Sequence, residues 1–270
     1  MLITYGGFWT TRPLIEAARA VGARTVFYLC NYAYSDPSLF EPFDVTIVPS
    51  QFHARWYKET IGIETTVVPP LMNLDTILCE PAPARRFVTF VNPQPHKGLY
   101  VFARIAQVLG RERPDIPLLV VESRAGADRL RETGSVLRGL KNLHRMRNTS
   151  DPREFYRASH IVLMPSVVPE TFGRVAAESM MNGIPVLAST RGAIPEVVGD
   201  AGFLFDIPDR ITPTSRELPT EDEVRPWVDS IVLLWDDPNY YRRISEQGQS
   251  RAKRWGPDRI LGDFESAILG

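Results

Sequence analysis

Residues 169–178, with the sequence PETFGRVAAE, decide the fold class of this chain and the place where its chemistry is expected. The apolar run at residues 161–164 predicts a buried parallel strand, and residues from about 172 to 182 predict the helix that follows. The segment is therefore a strand-to-helix loop of an α/β protein. Gly173 allows the backbone to approach a ligand closely, and the first helical turn presents N–H groups and the positive end of the helix dipole to a phosphate.

Two carboxylates lie in this loop and helix. Glu170 is in the loop, where it can reach a group beyond a bound phosphate, and Glu178 is about two turns into the helix. A carboxylate at the second position can accept hydrogen bonds from two adjacent hydroxyl groups, such as those of a ribose. The alternative is that both are ordinary solvated charges on a helix surface, and that alternative leaves the surrounding sequence unexplained.

The order of the residues resembles a known family. Glu170 and Glu178 form a Glu-x7-Glu pair with Phe-Gly after the first glutamate, followed by Gly-x-Pro-Val at 183–186 and Gly-Ala-Ile-Pro-Glu-Val at 192–197. This series is similar to the donor-binding motif of retaining glycosyltransferases of the GT-B fold, in the GT4 group. The resemblance implies an α/β protein with two Rossmann-like, doubly wound parallel-sheet domains. It also implies transfer of a sugar, with retention, from a nucleoside-diphosphate sugar to an acceptor hydroxyl.

The resemblance implies roles for the residues of the loop. Glu178 would hold the ribose hydroxyls, and Glu170 would act at the reacting centre on the sugar hydroxyls. The amides of Phe172 and Gly173 would bind the diphosphate, and Thr171 is included in the same donor-binding loop.

A second motif lies at residues 90–98, with the sequence FVNPQPHKG. In the family this loop has the pattern Gly-Arg-x4-Lys-Gly, and its two cations neutralise the donor diphosphate. Lys97 matches the lysine, whose charge beside a leaving diphosphate lowers the barrier, and the alternative is a plain surface lysine. Asn92 replaces the arginine and supplies hydrogen bonds without charge. Arg174, just inside the helix, is therefore a candidate for the second cation.

The third place of interest is the end of the strand predicted at residues 25–29. Many members of the family have a histidine here, near the reacting centre, whereas this chain has Cys30 followed by Asn31. Both are candidates for lining the cleft, although for Cys30 a small, buried, apolar position is favoured. Gly6 and Gly7 are further candidates for the cleft, with a plain turn as the alternative.

Strands alternate with helices along the chain, which predicts parallel sheets covered by helices on both faces. The predicted strands are residues 2–5, 25–29, 45–48, 65–68, 87–91, 118–121, 161–164, 186–188 and 202–205. We expect a partial, acceptor-side domain at 1–72, a proline-bearing linker at 73–83 and a donor-binding domain at 84–255. In the family, a terminal helix, here 256–270, packs back across the cleft.

The first predicted domain is short for the family, because the family's first strands are missing from it. We expect a truncated protein, a naturally minimal enzyme, or one half of a split enzyme whose partner chain completes the domain. Acceptor recognition belongs to this domain in the family, so its size bears on activity.

Composition narrows the classes of function. The 270 residues are 44% hydrophobic, and the formal net charge of −1 argues against a protein built mainly to bind nucleic acid. Cys30 and Cys79 form no disulfide framework, which favours a reducing cytoplasm. No apolar stretch is long enough to span a bilayer. The basic segment 242–255 could contact an anionic membrane, although a solvated helix face is the commoner explanation.

No cofactor is expected beyond the nucleotide-sugar co-substrate. The four histidines lack the spacing of a metal site, and no Asp-x-Asp follows a strand, so a metal-independent site is predicted.

One rival function is a catalytically impaired nucleotide-sugar-binding protein, which Asn92, Cys30 and the short first domain favour. The other is a Rossmann-type oxidoreductase, which requires a Gly-x-Gly-x-x-Gly motif that the sequence lacks.

Overall fold

The structure is a computed structural model, and it describes residues 1–5, 11–80, 85–134 and 136–269. These residues form two compact units. The first unit comprises Met1–Met72 and Trp255–Gly270, and the second comprises Asn73–Arg254. Each unit has its own parallel β-sheet.

The first unit has a four-stranded parallel sheet in the order β1-β2-β3-β4. Its strands are β1 (Leu2–Thr4), β2 (Thr25–Tyr28), β3 (Val45–Val48) and β4 (Thr66–Val67), and its first helices are α1 (Thr11–Ala20) and α2 (Gln51–Ile61). An aromatic core covers the sheet: Phe27 stacks on Phe43 at 4.8 Å between ring centroids, and Phe40 and Tyr57 pack beside them. Ser50 caps α2, because its Oγ accepts a hydrogen bond from the backbone N–H of His53.

The second unit has a six-stranded parallel sheet in the order β10-β9-β8-β5-β6-β7. The strands are β5 (Phe87–Val91), β6 (Leu118–Val121), β7 (Leu143–Met146), β8 (Ser159–Met164), β9 (Val186–Ser189) and β10 (Phe203–Phe205). The helices are α3 (Leu74–Ile77), α4 (Leu99–Glu112), α5 (Arg153–Ala158), α6 (Arg174–Met181), α7 (Ile194–Val198), α8 (Glu221–Asp236) and α9 (Pro238–Ala252). The chain builds outward from β5 through β6 to β7, and then returns to place β8 on the other side of β5.

The last helix, α10 (Pro257–Leu269), belongs to the first unit. Its Phe264 ring lies 5.6 Å from the ring of Tyr28 in β2. Across the described ranges, no helix combines the length and the apolar character needed to cross a membrane.

The fold class and all nine predicted strands are confirmed, each within two residues at its ends. The strand β7 was not predicted, because its sequence LHRM lacks an apolar run. Its central residues, His144 and Arg145, are exposed at the edge of the sheet. The helix predicted from about residue 172 begins at Arg174, because Gly173 has a φ of +107° and ends the loop as the N-cap.

Part of the segment predicted as a linker packs on the second unit. Asn182, at the end of α6, donates its side-chain amide to the carbonyl of Ile77 at 3.1 Å. Its side-chain oxygen accepts the backbone N–H of Cys79 at 3.0 Å. Residues 73–80 are thus fixed to α6, and residues 81–84 lie outside the described ranges.

Candidate functional site

The loops that follow β5, β8 and β9 meet at one edge of the second sheet. Because β8 lies between β9 and β5, the carboxyl ends of the three strands are adjacent. The direction in which strands are added reverses between β5 and β8, and ligands of open α/β sheets bind at such a point. The loop after β5 contains Lys97, and the loop after β8 contains Glu170.

The loop after β5 depends on two residues with left-handed backbone conformations. Asn92 has a φ of 64°, and it is the one non-glycine residue with a positive φ in the part of the chain that the structure describes. Asparagine adopts this conformation more readily than most side chains do. Gly98, with a φ of +92°, lies against Pro165, and a Cβ atom there would overlap the Pro165 carbonyl oxygen. Only glycine lets the loops after β5 and β8 approach this closely.

Hydrogen bonds join the loop after β8 to both neighbouring elements. On one side, the backbone N–H of Val167 donates to the carbonyl of His96 at 3.0 Å. On the other side, Ser189 Oγ at the end of β9 donates to the carbonyl of Ser166 at 2.7 Å. The loop that contains Glu170 is therefore fixed at two points before the glutamate is reached.

Gly192 fixes the backbone of Glu170 itself. The two residues form an isolated parallel bridge, and the N–H of Ala193 donates to the Glu170 carbonyl at 2.8 Å. Gly192 has a φ of +68°, and a Cβ atom there would overlap the backbone nitrogen and oxygen of Glu170. The Gly-x-x-Pro-Glu segment after β9 thus has a clear structural role, which is to bring the loop after β9 against Glu170.

At the centre of these loops, Lys97 and Glu170 form an ion pair. Lys97 Nζ lies 2.6 Å from Glu170 Oε1, and Ser166 Oγ donates to the same oxygen at 2.6 Å. The Lys97 side chain is 29% exposed and that of Glu170 is 15% exposed. Partial burial makes such a pair stronger than a pair on the open surface. A cation and a carboxylate are therefore held side by side and in reach of a ligand.

The neighbouring His96 adds no charge near neutral pH. Burial lowers its pKa, the positive charges of Lys97 and Arg124 lower it further, and Glu170 acts in the opposite direction. Arg124 follows β6, the strand next to β5, so its positive charge acts at the same edge of the sheet. Arg124 was not predicted as a site residue from the sequence, although its place shortly after a predicted strand was a usable signal.

The second predicted carboxylate, Glu178, is 7% exposed. Its Oε2 accepts a hydrogen bond from the hydroxyl of Tyr156 at 2.7 Å. Its Oε1 accepts from Arg174 Nε at 3.0 Å, and Arg174 Nη2 lies 2.8 Å away. Burial raises the pKa of Tyr156 well above its usual value, and the Glu178 charge adds to this effect. The phenol therefore keeps its proton and serves as a donor.

The remaining residues of the loop lie at the start of α6. Phe172 is buried, Thr171 is half-buried, and Gly173 provides no side-chain cap. The N–H of Ala176 donates to the Gly173 carbonyl at 3.0 Å. The N–H groups that come before it at the start of an α-helix have no intrahelical acceptor, so a ligand can use them. Arg174 lies at this terminus as predicted, but its guanidinium contacts Glu178.

In the first unit, the predicted buried position of Cys30 is wrong, because Cys30 is exposed just beyond the end of β2. The Asn31 carbonyl accepts from His53 Nε2 at 3.1 Å and from the Tyr57 hydroxyl at 3.0 Å. Burial lowers the pKa of His53 to about 4, so this histidine is neutral near pH 7. Gly6 and Gly7 lie outside the described residues.

The basic segment at the end of α9 is in part structural. Arg251 donates to the carbonyls of Val197 at 2.6 Å and Glu196 at 2.8 Å, at the end of α7. Arg243 lies 4.7 Å above the ring of Tyr240. Among the residues described, no three His, Cys, Asp or Glu side chains form a group that could hold a metal ion.

The two parallel-sheet units, with a cation–carboxylate pair at the switch point of the second sheet, define an α/β protein of the GT-B type. Comparison with known proteins agrees with this class. Residues 85–215 match the family described as "Glycosyl transferases group 1". The second unit therefore carries a domain of the glycosyl transferases group 1 family.

Curated relatives have names of the same kind. A D-inositol 3-phosphate glycosyltransferase from Segniliparus rotundus is 29% identical over 205 residues, which cover 70% of this chain and 41% of the relative. A lipopolysaccharide 1,2-N-acetylglucosaminetransferase from Salmonella typhimurium is 30% identical over 209 residues, which cover 67% of this chain and 53% of the relative. The chain thus spans about half of the length of such relatives, or less.

Solved structures share the fold. A structure of Anabaena HepE in complex with UDP and glucose has a TM-score of 0.76 and 18% identity, covering 99% of this chain and 77% of that chain. The pneumococcal O-GlcNAc transferase GtfA, in complex with UDP and GlcNAc, has a TM-score of 0.74 and 14% identity, covering 96% of this chain and 54% of that chain.

Proposed function

We propose that this chain is a glycosyltransferase that moves a sugar from a nucleoside-diphosphate sugar to an acceptor hydroxyl. The ion pair between Lys97 and Glu170, 2.6 Å apart at the switch point, carries the proposal. The family of the domain supports it. A UDP-sugar is the first donor to test, because the similar structures of HepE and GtfA contain UDP with glucose or GlcNAc.

The positions of the charged groups suggest how the donor lies. The bond that breaks joins the sugar to the diphosphate, so the groups that bind these two parts must be neighbours. Lys97 would bind the diphosphate, together with amides at the start of α6 near Gly173, and Glu170 would bind sugar hydroxyls. Glu178, further along α6, would accept hydrogen bonds from the ribose.

The proposed reaction retains the anomeric configuration and needs no metal ion. The bond between the anomeric carbon and the diphosphate oxygen breaks, and its electron pair stays on the diphosphate. Lys97 stabilises the charge that grows there. The acceptor oxygen bonds to the same face of the sugar, and the leaving phosphate takes the acceptor proton. Lys97 and the amides of α6 would do the work that a divalent cation does in other sites.

The acceptor side belongs to the proposal as well. The first unit would bind the acceptor, which would be a glycan, a lipid-linked molecule or a small molecule of a glycoconjugate pathway in the cytoplasm. A partner chain would complete this unit if the enzyme is split. Exposed arginines of α9, such as Arg242 and Arg243, would meet an anionic membrane if the acceptor is lipid-linked.

The test is calorimetric titration with UDP-, GDP-, ADP- and TDP-sugars in the presence of a chelator. We expect one donor to bind, and we expect Glu178→Ala to weaken it by about 1.5 to 3 kcal/mol, the usual cost of losing charge-assisted hydrogen bonds. Glu64→Ala is the matched control, because Glu64 is a 76% exposed glutamate of the first unit. If the wild-type chain binds no donor, the proposal fails.

A second candidate is a nucleotide-sugar-binding protein that does not transfer the sugar. Asn92 favours it, because the residue brings no charge to the loop and its Oδ1 is buried without a hydrogen-bond partner among the described residues. This candidate predicts donor binding with no release of the nucleoside diphosphate. Assay of free UDP, with and without a mixture of acceptors, distinguishes the two functions.

A further inference from the structure

Arg174 occupies an unexpected position for a residue that follows the loop with Glu170. It is the first residue of α6, at the helix terminus where the diphosphate is proposed to lie. Its guanidinium nevertheless contacts Glu178 Oε1 through two nitrogens, at 3.0 and 2.8 Å. The Arg174 side chain is 60% exposed, whereas that of Glu178 is 9% exposed. The arginine therefore covers the carboxylate oxygen that a ribose would need.

The other oxygen of Glu178 is held from inside the protein. Tyr156 is completely buried and donates its hydroxyl to Oε2 at 2.7 Å. A ligand cannot displace a buried phenol without opening the core of the unit. The two oxygens of Glu178 therefore differ, since the partner of Oε2 is buried and the partner of Oε1 is exposed.

We propose that Arg174 is a displaceable latch on the ribose-binding carboxylate. It pairs with Glu178 when the donor site is empty. Ribose hydroxyls take its place on Oε1 when the donor binds, and the released guanidinium then pairs with the diphosphate. Tyr156 is the positioning residue that keeps the carboxylate in place during the exchange. This inference rests on the proposed function, because it assigns a specificity role within the same donor site.

The strengths of the contacts favour this exchange. For two residues four apart on a helix, the order Arg before Glu is the weaker one, and the Arg174 partner of this pair is 60% exposed to solvent. A cation in the first turn also faces the positive end of the helix dipole. A diphosphate at the same place removes that repulsion, and hydroxyl groups make charge-assisted bonds to the freed carboxylate.

The exchange at Arg174 also provides the positive charge that Asn92 does not supply. Asn92 brings no positive charge to the loop after β5, so Lys97 is the cation of that loop closest to Glu170. An arginine released from Glu178 by the ribose supplies a second positive charge only when the donor is present. When the donor is absent, Arg174 and Glu178 neutralise each other.

The test compares UDP with uridine, which has the ribose and lacks the phosphates, by NMR titration. In Arg174→Ala we expect UDP to bind about tenfold more weakly, because the diphosphate loses a charge-assisted partner. We expect uridine to bind as well as in the wild type or up to about threefold more tightly, because Glu178 no longer has a competing partner. In Tyr156→Phe we expect both ligands to weaken by the same factor.

Arg157→Ala is the control, since Arg157 is an exposed arginine of α5, and it should leave both affinities within about twofold. Thermal unfolding of each variant checks that it folds. If uridine and UDP weaken together in Arg174→Ala, the latch is wrong while the proposed function stands. If wild-type protein binds none of UDP, GDP, ADP and TDP, the proposed function fails and the latch fails with it.

Discussion

Two glycines that end helices of the first unit differ in their surroundings from two glycines in the candidate-site loops of the second unit. In the first unit, Gly22 and Gly62 have φ values of +69° and +75°, and a Cβ atom at either would meet nothing within 4 Å. They only permit a left-handed backbone where α1 and α2 end. In the second unit, Gly98 and Gly192 have similar φ values, and in addition other backbone lies against them. The loops after β5, β8 and β9 of the second unit are thus packed against one another, and this packing holds Lys97 beside Glu170.

The contacts that hold the loops also differ. The loop after β2 in the first unit is held by neutral groups, since His53 and Tyr57 both donate to the Asn31 carbonyl. In the second unit, the ion pair of Lys97 and Glu170 lies where the loops converge. Charges fixed in advance are what a site for a diphosphate requires. The chemistry is therefore expected in the second unit, and the first unit is expected to offer a rigid surface.

The largest expected effect comes from adding one methyl group at Gly192. In Gly192→Ala the new methyl group would overlap the backbone of Glu170, and alanine would also have to adopt a positive φ. We therefore expect a loss of about 3 to 5 kcal/mol in the free energy of unfolding. Gly22→Ala, at almost the same φ but in open space, should cost only about 1 kcal/mol. Urea denaturation measures both, and equal small losses would remove the distinction between the two units.

The next effect concerns catalysis. In Lys97→Ala we expect turnover to fall by about a hundredfold, roughly 3 kcal/mol of barrier, because the lost charge matters most as the bond breaks. Donor affinity should fall less than turnover. Lys58→Ala, which removes an exposed pair with Glu64 in the first unit, is the control and should change neither. Equal losses in kcat and in affinity would indicate simple ground-state binding by Lys97.

The smallest expected effect is a pH dependence of the stability of the first unit. Burial lowers the pKa of His53 to about 4, and its Nδ1 has no hydrogen-bond partner among the described residues. The unfolded chain takes up the proton near pH 6.5 and the folded chain near pH 4. The contribution of neutral His53 to the free energy of unfolding is therefore fully present above pH 6.5. It falls by about 2 to 3 kcal/mol as the pH drops toward 4.

The variant His53→Gln checks this pH dependence, because glutamine can donate to Asn31 and does not titrate. We expect the variant to lose less stability than the wild type between pH 6.5 and 4. The second unit provides an internal comparison, since burial also lowers the pKa of His160 to about 4. Hydrogen exchange measures the stability of each unit separately. If the first unit of His53→Gln has the same pH profile of stability as the wild type, the pH dependence does not come from His53.

Much of the second unit could be predicted from the sequence, because its strands are apolar runs and its helices have clear boundaries. Glu170 and Lys97 were predicted as site residues from the resemblance of their motifs to those of the glycosyltransferase family, and their roles stay a prediction. The 2.6 Å distance between Lys97 Nζ and Glu170 Oε1 could not be predicted, because it depends on the close packing of other backbone against Gly98 and Gly192. The strand β7 was missed because an edge strand with exposed polar residues has no apolar signal.

The contacts of Glu178 could be predicted from the sequence only in part. The spacing of Arg174 and Glu178 is visible as a pair four residues apart on a helix. The hydroxyl of Tyr156 reaches the same carboxylate from α5, 22 residues earlier in the chain. Cys30 was wrongly expected to be buried, because the usual burial of cysteine does not show that this residue is exposed after β2.

We propose that the loops of the second unit form a donor site in which Lys97 binds the diphosphate and Glu178 binds the ribose. A crystal structure of the chain with UDP tests this claim most directly. We predict a β-phosphate oxygen within hydrogen-bond distance of Lys97 Nζ and a ribose hydroxyl within hydrogen-bond distance of Glu178. UDP bound elsewhere on the protein, or at this edge with neither contact, would contradict the claim.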